Sequence, residues 1–282
     1  MYCWMNGEYV KKEDLKISPF DHGFLYGIGF FETFRTYEGH VFLLEEHMER
    51  LYAALQHFRI AFPYSLAELK AVIAKLDELA GGTDGYFRLN VSAGTHDIGL
   101  APSSYEQPTV ILFRKELPPV QKNNAKEGVI LTTPRTEPES SMRYKSHHFL
   151  NNVEGRLELP SLREHEGIFL TKDGYIAEGV TSNVFWVKNG RLYTPSLETG
   201  ILAGTTRAVI IDFARKNGFS VEEGLYTVED LLTADEVFVT NAIQEIVPLK
   251  SLENVTYAGV DGSFYQKIHH HYRQAIEESR RL

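Results

Sequence analysis

The chain has a single cysteine, Cys3, so no disulfide can close within it, and such sparse cysteine usage fits a reducing cytosol. It has no long apolar run; nothing approaches the ~20 residues of a membrane-spanning helix. The start, Met1-Tyr2-Cys3-Trp4-Met5-Asn6-Gly7-Glu8, has neither a basic end nor an apolar core and does not read as a signal peptide. Basic residues are in deficit: the net charge of −9 argues against a nucleic-acid or anionic-membrane surface. Internal repeats, low-complexity tracts and the Gly-Lys-Ser/Thr of a phosphate loop are all missing. Histidines stand side by side, as His147-His148 and His269-His270-His271, and neighbours on a helix diverge, so no metal site is expected. What remains is a soluble chain of 282 residues, 43% hydrophobic and 24% charged, enough for one large domain or two ordinary ones.

Periodicity divides it. In the first part, strand signals at Tyr2–Val10 (turning at Asn6-Gly7), Phe30–Tyr37, Gly85–Ala93 and Thr109–Phe113 surround two helix patterns. Leu44, Met48, Leu51, Leu55 and Phe58 give the stripe of a helix over Leu44–Ile60, and Ser65–Leu79 gives a second. Ile17–Gly23 reads as an irregular loop, and Gly27 and Gly29 mark backbone that bends or is closely approached. Leu117–Ala125, with Pro118-Pro119, is the best linker candidate. Beyond it, short strands joined by Gly turns (Gly128–Thr133, Gly167–Leu170, Val184–Val187, Arg191–Thr194, Asp235–Ala242) suggest a barrel-like or sandwich domain, with helices over Ala208–Lys216 and Ser263–Arg280. The expected division is 1–117, a linker at 118–125, and 126–282.

Four places carry possible chemistry. Lys145 stands among aromatic and polar neighbours in Arg143-Tyr144-Lys145-Ser146-His147-His148; it reads either as a solvated surface cation or as a desolvated amine able to attack a carbonyl. Glu178, before Gly179 and an apolar strand, either caps a turn or is buried against a cation or donor. Gly200–Arg207 feeds a helix, so Thr205 and Thr206 are either helix caps or donors at an anion-binding N-terminus. Arg50, at the margin of the Leu44–Ile60 stripe, either snorkels or turns inward to fork onto a phosphate. An aromatic aldehyde bearing a phosphate and a basic ring nitrogen would use all four, which points to pyridoxal 5'-phosphate (PLP).

The chain resembles the fold-type IV, or class IV aminotransferase, family of PLP enzymes along essentially its whole length. The matching segments are Phe24-Leu25-Tyr26-Gly27-Ile28-Gly29-Phe30-Phe31-Glu32-Thr33, Glu46–Leu51, the Lys145 segment, Ile176–Asn183, Gly200–Arg207 and Phe238–Pro248. The resemblance implies an α+β, D-amino-acid aminotransferase-like fold of an α/β N-terminal domain and a barrel-like C-terminal domain carrying the lysine, PLP between them, and a homodimer. It implies that Lys145 binds the cofactor covalently, that Glu178 pairs with the pyridine nitrogen, and that Arg50, Thr205, Thr206 and the turn at Asn241-Ala242 hold the phosphate. Within the family, Ile17–Gly29 and Lys145–His148 are most similar to 4-amino-4-deoxychorismate lyases. Phe31 stands where D-amino-acid aminotransferases have a tyrosine, Ser92–Leu100 lacks their arginine, and Leu150 stands where branched-chain enzymes have a tyrosine. A C–O lyase is therefore expected, with Thr33 positioning an acid for the leaving oxygen and Arg143, if its segment is extended, sharing a face with Lys145 and meeting a substrate carboxylate. The alternatives are transamination of D-amino or branched-chain amino acids, and PLP binding without turnover.

Overall fold

The structure is a computed structural model that describes residues 1–100, 103–117 and 124–281. The chain forms two compact units, Met1–Pro119 with Tyr144–His148, and Val120–Arg143 with Phe149–Leu282. Most of the expected linker, residues 118–123, lies outside the described residues. The lysine segment departs from expectation: it belongs to the first unit, because it pairs with a strand there.

The first unit is an antiparallel sheet with helices on one face. Its strands are β1 (Tyr2–Met5), β2 (Glu8–Lys11), β3 (Gly29–Tyr37), β4 (His40–Val41), β5 (Gly85–Ser92) and β6 (Thr109–Glu116), in the order β2-β1-β6-β5-β3-β4. The helices are α1 (His22–Tyr26), α2 (Leu44–His57) and α3 (Leu66–Leu79). α3 starts at a capping box in which Ser65 and Glu68 satisfy each other's backbone N–H groups. The expected stripe is buried except for Phe58, which caps the helix and is exposed: Leu44, Met48, Leu51 and Leu55 of α2 join Leu69, Ile73 and Leu76 of α3 over Phe30, Phe34 and Phe87 of the sheet. Alternation along β3 turns Phe31, Thr33 and Arg35 to the opposite face. The expected loop at Ile17–Gly23 ends in α1, capped by Asp21 on Gly23 N.

The second unit is built on a mixed sheet of β7 (Lys126–Ile130), β8 (His165–Leu170), β9 (Ile176–Gly179), β10 (Asn183–Lys188), β11 (Arg191–Pro195), β12 (Val221–Gly224), β13 (Glu236–Asn241) and β14 (Glu245–Leu252), with β15 (Val255–Thr256) on β14. The order is β12-β11-β10-β13-β14-β7-β8-β9. Ile176 N, at the β9 end, donates to Tyr226 O just past β12, so the sheet curls back on itself as a barrel-like layer. Helices α4 (Leu150–Leu157), α5 (Thr205–Lys216), α6 (Val228–Leu232) and α7 (Ser263–Arg281) complete it. α4 has no counterpart in the sequence reading. Its face is inverted: Asn152 and Gly155 are buried, while Leu150 and Leu157 are 79% and 71% exposed.

Among the described residues, no helix is long and apolar enough to cross a membrane.

Candidate active site

In the first unit, the lysine segment is held on the edge of β3 by an antiparallel bridge. Phe31 N donates to Lys145 O and His147 N to Gly29 O, both at 2.9 Å, with Phe30 opposite Ser146. Lys145 and His147 therefore share the face of Phe31 and Gly29. A side chain at Gly29 would run into the His147 ring, and one at Gly27 into His148. The Gly-x-Gly pattern makes room for the two histidines that follow the lysine.

On the same face, β5 places Arg88 opposite Thr33 and Asn90 opposite Phe31. Buried Phe31 has the Arg88 guanidinium carbon 3.5 Å and Lys145 Nζ 4.7 Å from its ring centre. Arg88 donates through Nε to Asn90 Oδ1 at 2.8 Å. It has no carboxylate partner among the described residues, and burial pulls its pKa below the ordinary guanidinium value. A partly buried cation without a counter-charge, on the ring that also carries the lysine amine, suits an anionic ligand. In the sequence Arg88 reads only as the polar side of a strand, which by default faces water. Burial, and next the Arg88 charge, push the His147 pKa down to about 4, so its ring is neutral at pH 7.

Arg50 turns inward, onto a carboxylate of its own unit. Its Nε and Nη2 donate to the two oxygens of buried Glu32 on β3 at 2.7 Å each, and His47 Nδ1 stands 2.7 Å from Glu32 Oε2. Burial alone would raise the Glu32 pKa, but the Arg50 charge and the His47 hydrogen bond outweigh it and hold the carboxyl at about 2. A carboxyl whose folded pKa lies below its unfolded value stabilises the fold above the unfolded pKa. Glu32 should thus contribute about 3 kcal/mol above pH ~4.5, lost progressively as the pH falls toward ~2. In acid titrations of unfolding free energy, Glu32→Gln should flatten the slope between those limits; an unchanged slope would count against this role.

The loop after β5 is fastened to α1. His22 Nε2 is 2.9 Å from Asp97 O, Gly99 N donates to Tyr26 Oη at 2.7 Å, and Asp21 accepts from Ser92 and Thr109 hydroxyls. The Ile17–Gly29 segment thereby positions Ser92–Leu100.

In the second unit, Glu178 is the penultimate residue of β9 and is buried. Its Oε1 accepts from Arg135 Nε and Nη2 at 2.9 and 2.8 Å; its Oε2 accepts from Leu202 N at 3.0 Å and Asn183 Nδ2 at 3.4 Å. Arg135 is itself buried and also donates to Asn151 Oδ1 at 2.6 Å. Nothing in the sequence singles out Arg135, because an arginine in a Pro-rich loop has no periodicity to betray burial. Asn183 Nδ2 also reaches Leu202 O at 2.9 Å, which ties the loop ahead of α5 to the Glu178 carboxylate.

Arg143 lies in the second unit. In the first unit Ser146 N bonds back to Tyr144 O across Lys145, whereas Arg143 pairs with Leu202 in its own unit. Its guanidinium donates to Gly200 O and Thr136 O, 3.9 Å from Glu178 Oε1. These bonds fit an organiser of the Glu178 surroundings better than a substrate contact.

The N-terminus of α5 follows Gly204, which offers no side-chain cap. Thr205 opens the helix, and the buried Thr206 Oγ1 has no hydrogen-bond partner among the described residues; neither has Thr240 Oγ1, at the end of β13. Orphaned buried hydroxyls beside a helix N-terminus suit an anion that accepts from them. In the following turn, Asn241 Oδ1 accepts from Ile243 N and Gln244 N at 3.0 and 2.8 Å, so this side chain shapes the turn around Ala242. A phosphate cradle and a buried, arginine-backed carboxylate in one unit fit the two ends of a phosphorylated pyridine.

Comparison with known proteins accords with this. The pattern of the family "Amino-transferase class IV" matches residues 29–252. The aminodeoxychorismate lyase of Bacillus subtilis (strain 168) is 46% identical over 97% of this chain and 94% of its own length. The structure of the branched-chain aminotransferase of the thermophilic archaeon Thermoproteus uzoniensis with norvaline superposes with a TM-score of 0.88 at 28% identity, covering 98% of this chain and 95% of that one. A putative 4-amino-4-deoxychorismate lyase of Legionella pneumophila gives a TM-score of 0.84 at 25% identity, over 94% and 97% of the two chains. By sequence pattern and by fold, this chain belongs to the class IV aminotransferase family.

Proposed function

We infer that this chain is a PLP-dependent lyase that converts 4-amino-4-deoxychorismate to 4-aminobenzoate and pyruvate. The observation that carries this is its 46% identity, along nearly the full length of both chains, to an aminodeoxychorismate lyase. The site residues suit such a substrate, which is an amine with two carboxylates.

When bound, PLP supplies an aldehyde that captures amines and a cationic ring that takes up the electrons of a broken bond. Lys145 Nζ would hold the aldehyde, and the same amine would take the proton from C4 of the substrate. Glu178 would pair with the ring nitrogen, with Arg135 behind it balancing its charge. Thr205, Thr206 and the turn at Asn241-Ala242 would hold the phosphate, Thr240 would add a hydroxyl, and Arg50, though forked onto Glu32, is proposed to reach it as well. Phe31 walls the substrate, and Thr33 positions the proton donor for the departing enolpyruvyl oxygen. Loss of that oxygen makes the ring aromatic, so no acceptor keto acid is consumed. A homodimer, implied by the resemblance, and a cytoplasmic location, suggested by the single cysteine, belong to this proposal.

Arg88 is the side chain we assign to a substrate carboxylate. Arg88→Met should raise KM for the lyase substrate roughly 10- to 100-fold with a smaller change in kcat, and Arg88→Lys should restore part of it. Unchanged steady-state kinetics would remove the assignment. The activity itself is tested by purified, PLP-loaded protein: 4-aminobenzoate and pyruvate should form in equal amounts. Glutamate formed from 2-oxoglutarate and a D- or branched-chain amino acid, with no 4-aminobenzoate, would establish the transaminase instead.

A further inference from the structure

Lys126 is a lysine at the start of a strand, yet only 2% of it is exposed. Its ammonium donates to Glu166 Oε2 at 2.9 Å and to Gln244 Oε1 at 3.2 Å. The other oxygen of Glu166, itself 3% exposed, accepts from Ser182 Oγ at 2.7 Å. The Glu166 carboxylate stands directly behind the backbone of Gly179, where a β-carbon would strike it and the Ser182 hydroxyl. Gly179 N also donates to Ser182 O at 2.8 Å. One buried ion pair thus connects the turn that follows Glu178 to the Asn241–Gln244 turn.

Two further facts suggest that this connection holds something under load. Desolvating two charges usually costs about as much as their attraction returns, so a buried pair is poorly explained as a source of stability. The residue after Gln244 is also strained: Glu245 has φ 64°, a left-handed conformation in a side chain that disfavours it. Such strain persists only where the surroundings over-determine the backbone. Here the anchors are Lys126 on Gln244 and Arg273, whose Nη1 is 2.7 Å from Glu245 Oε1.

We propose that Lys126 and Glu166 are positioning residues that fix the Asn241–Gln244 turn at a set distance from Glu178, so that the phosphate end and the ring-nitrogen end of PLP are gripped together. This rests on the cofactor contacts proposed above for Glu178 and the turn. Neither residue need touch the cofactor. Lys126 acts through Gln244, and Glu166 through Ser182 and Gly179.

Removing one partner would leave a buried charge unpaired and could simply unfold the unit. The variant to use is therefore Lys126→Met/Glu166→Leu, which removes both charges at similar volume. Its companion is Gln244→Ala, at an exposed position, which leaves the ion pair intact and frees only the turn. PLP is titrated into cofactor-stripped protein, following visible absorbance, and the pH at which the absorbance of the bound cofactor changes is recorded. Both variants should unfold cooperatively, bind PLP roughly 10-fold or more weakly, and shift that spectral transition, which a merely structural pair would not do. Wild-type affinity and an unshifted transition in either folded variant would overturn the proposal, and Gln244→Ala decides alone if the double variant does not fold. Wild-type protein that takes up no PLP would instead overturn the cofactor contacts themselves, and this inference with them.

Discussion

Lys145→Ala should lower 4-aminobenzoate formation by at least ~1,000-fold while leaving the protein folded. The two expectations have separate causes. The segment is held by backbone bonds, Phe31 N to Lys145 O and His147 N to Gly29 O, which alanine keeps. The amine is what the substitution removes, and with it both the proposed covalent hold on the cofactor and the proposed base for the C4 proton. Thermal unfolding should therefore change little while turnover collapses, and a small primary amine added in solution should return part of the proton transfer. A variant retaining more than about a tenth of wild-type turnover would mean that another group moves the proton.

Glu178→Gln should have the next largest effect, on two quantities at once. With the charge gone, the ring nitrogen would lose its proposed counter-ion, and kcat should fall by roughly 100-fold or more with a smaller change in KM. Arg135 Nε and Nη2 lose the carboxylate they share, 2.9 and 2.8 Å away, and a buried guanidinium is left without its charge partner. Stability should drop by about 3–5 kcal/mol, read by denaturant unfolding. Combining Glu178→Gln with Arg135→Met separates the two effects. Most of the stability should return, because no unpaired charge remains, and the turnover should not. Turnover that recovered along with stability would reduce Glu178 to a structural partner of Arg135.

Where the chemistry of burial follows periodicity, the fold is legible in the chain. The stripe from Leu44 to Leu55 and the capping box at Ser65 define two helices that fold where the pattern places them. Most strands of the curled second sheet lie within a few residues of their apolar runs. α4 is illegible because it breaks the rule: it turns Asn152 and Gly155 inward and Leu150 and Leu157 outward, so its pattern resembles no amphipathic helix. The candidate site divides in the same way. Lys145, Glu178, Thr205 and Thr206 sit in short segments whose order resembles a known family, and can be named from it. Arg88, Arg135 and Lys126 are cations that a sequence reader places in water, and only the folded chain shows that they are buried or partly so. The expected role of Arg143 rests on an extended reading of its segment, and its bonds to Gly200 O and Thr136 O are not legible in the sequence.

The covalent hold of one amine on the cofactor aldehyde is the most exposed claim. It is tested by reducing the PLP-loaded protein with borohydride, digesting it and locating the pyridoxyl adduct by mass spectrometry. The expected result is a single adduct, on the Lys145 side chain. An adduct on another lysine, or none in protein that is otherwise folded, would contradict it.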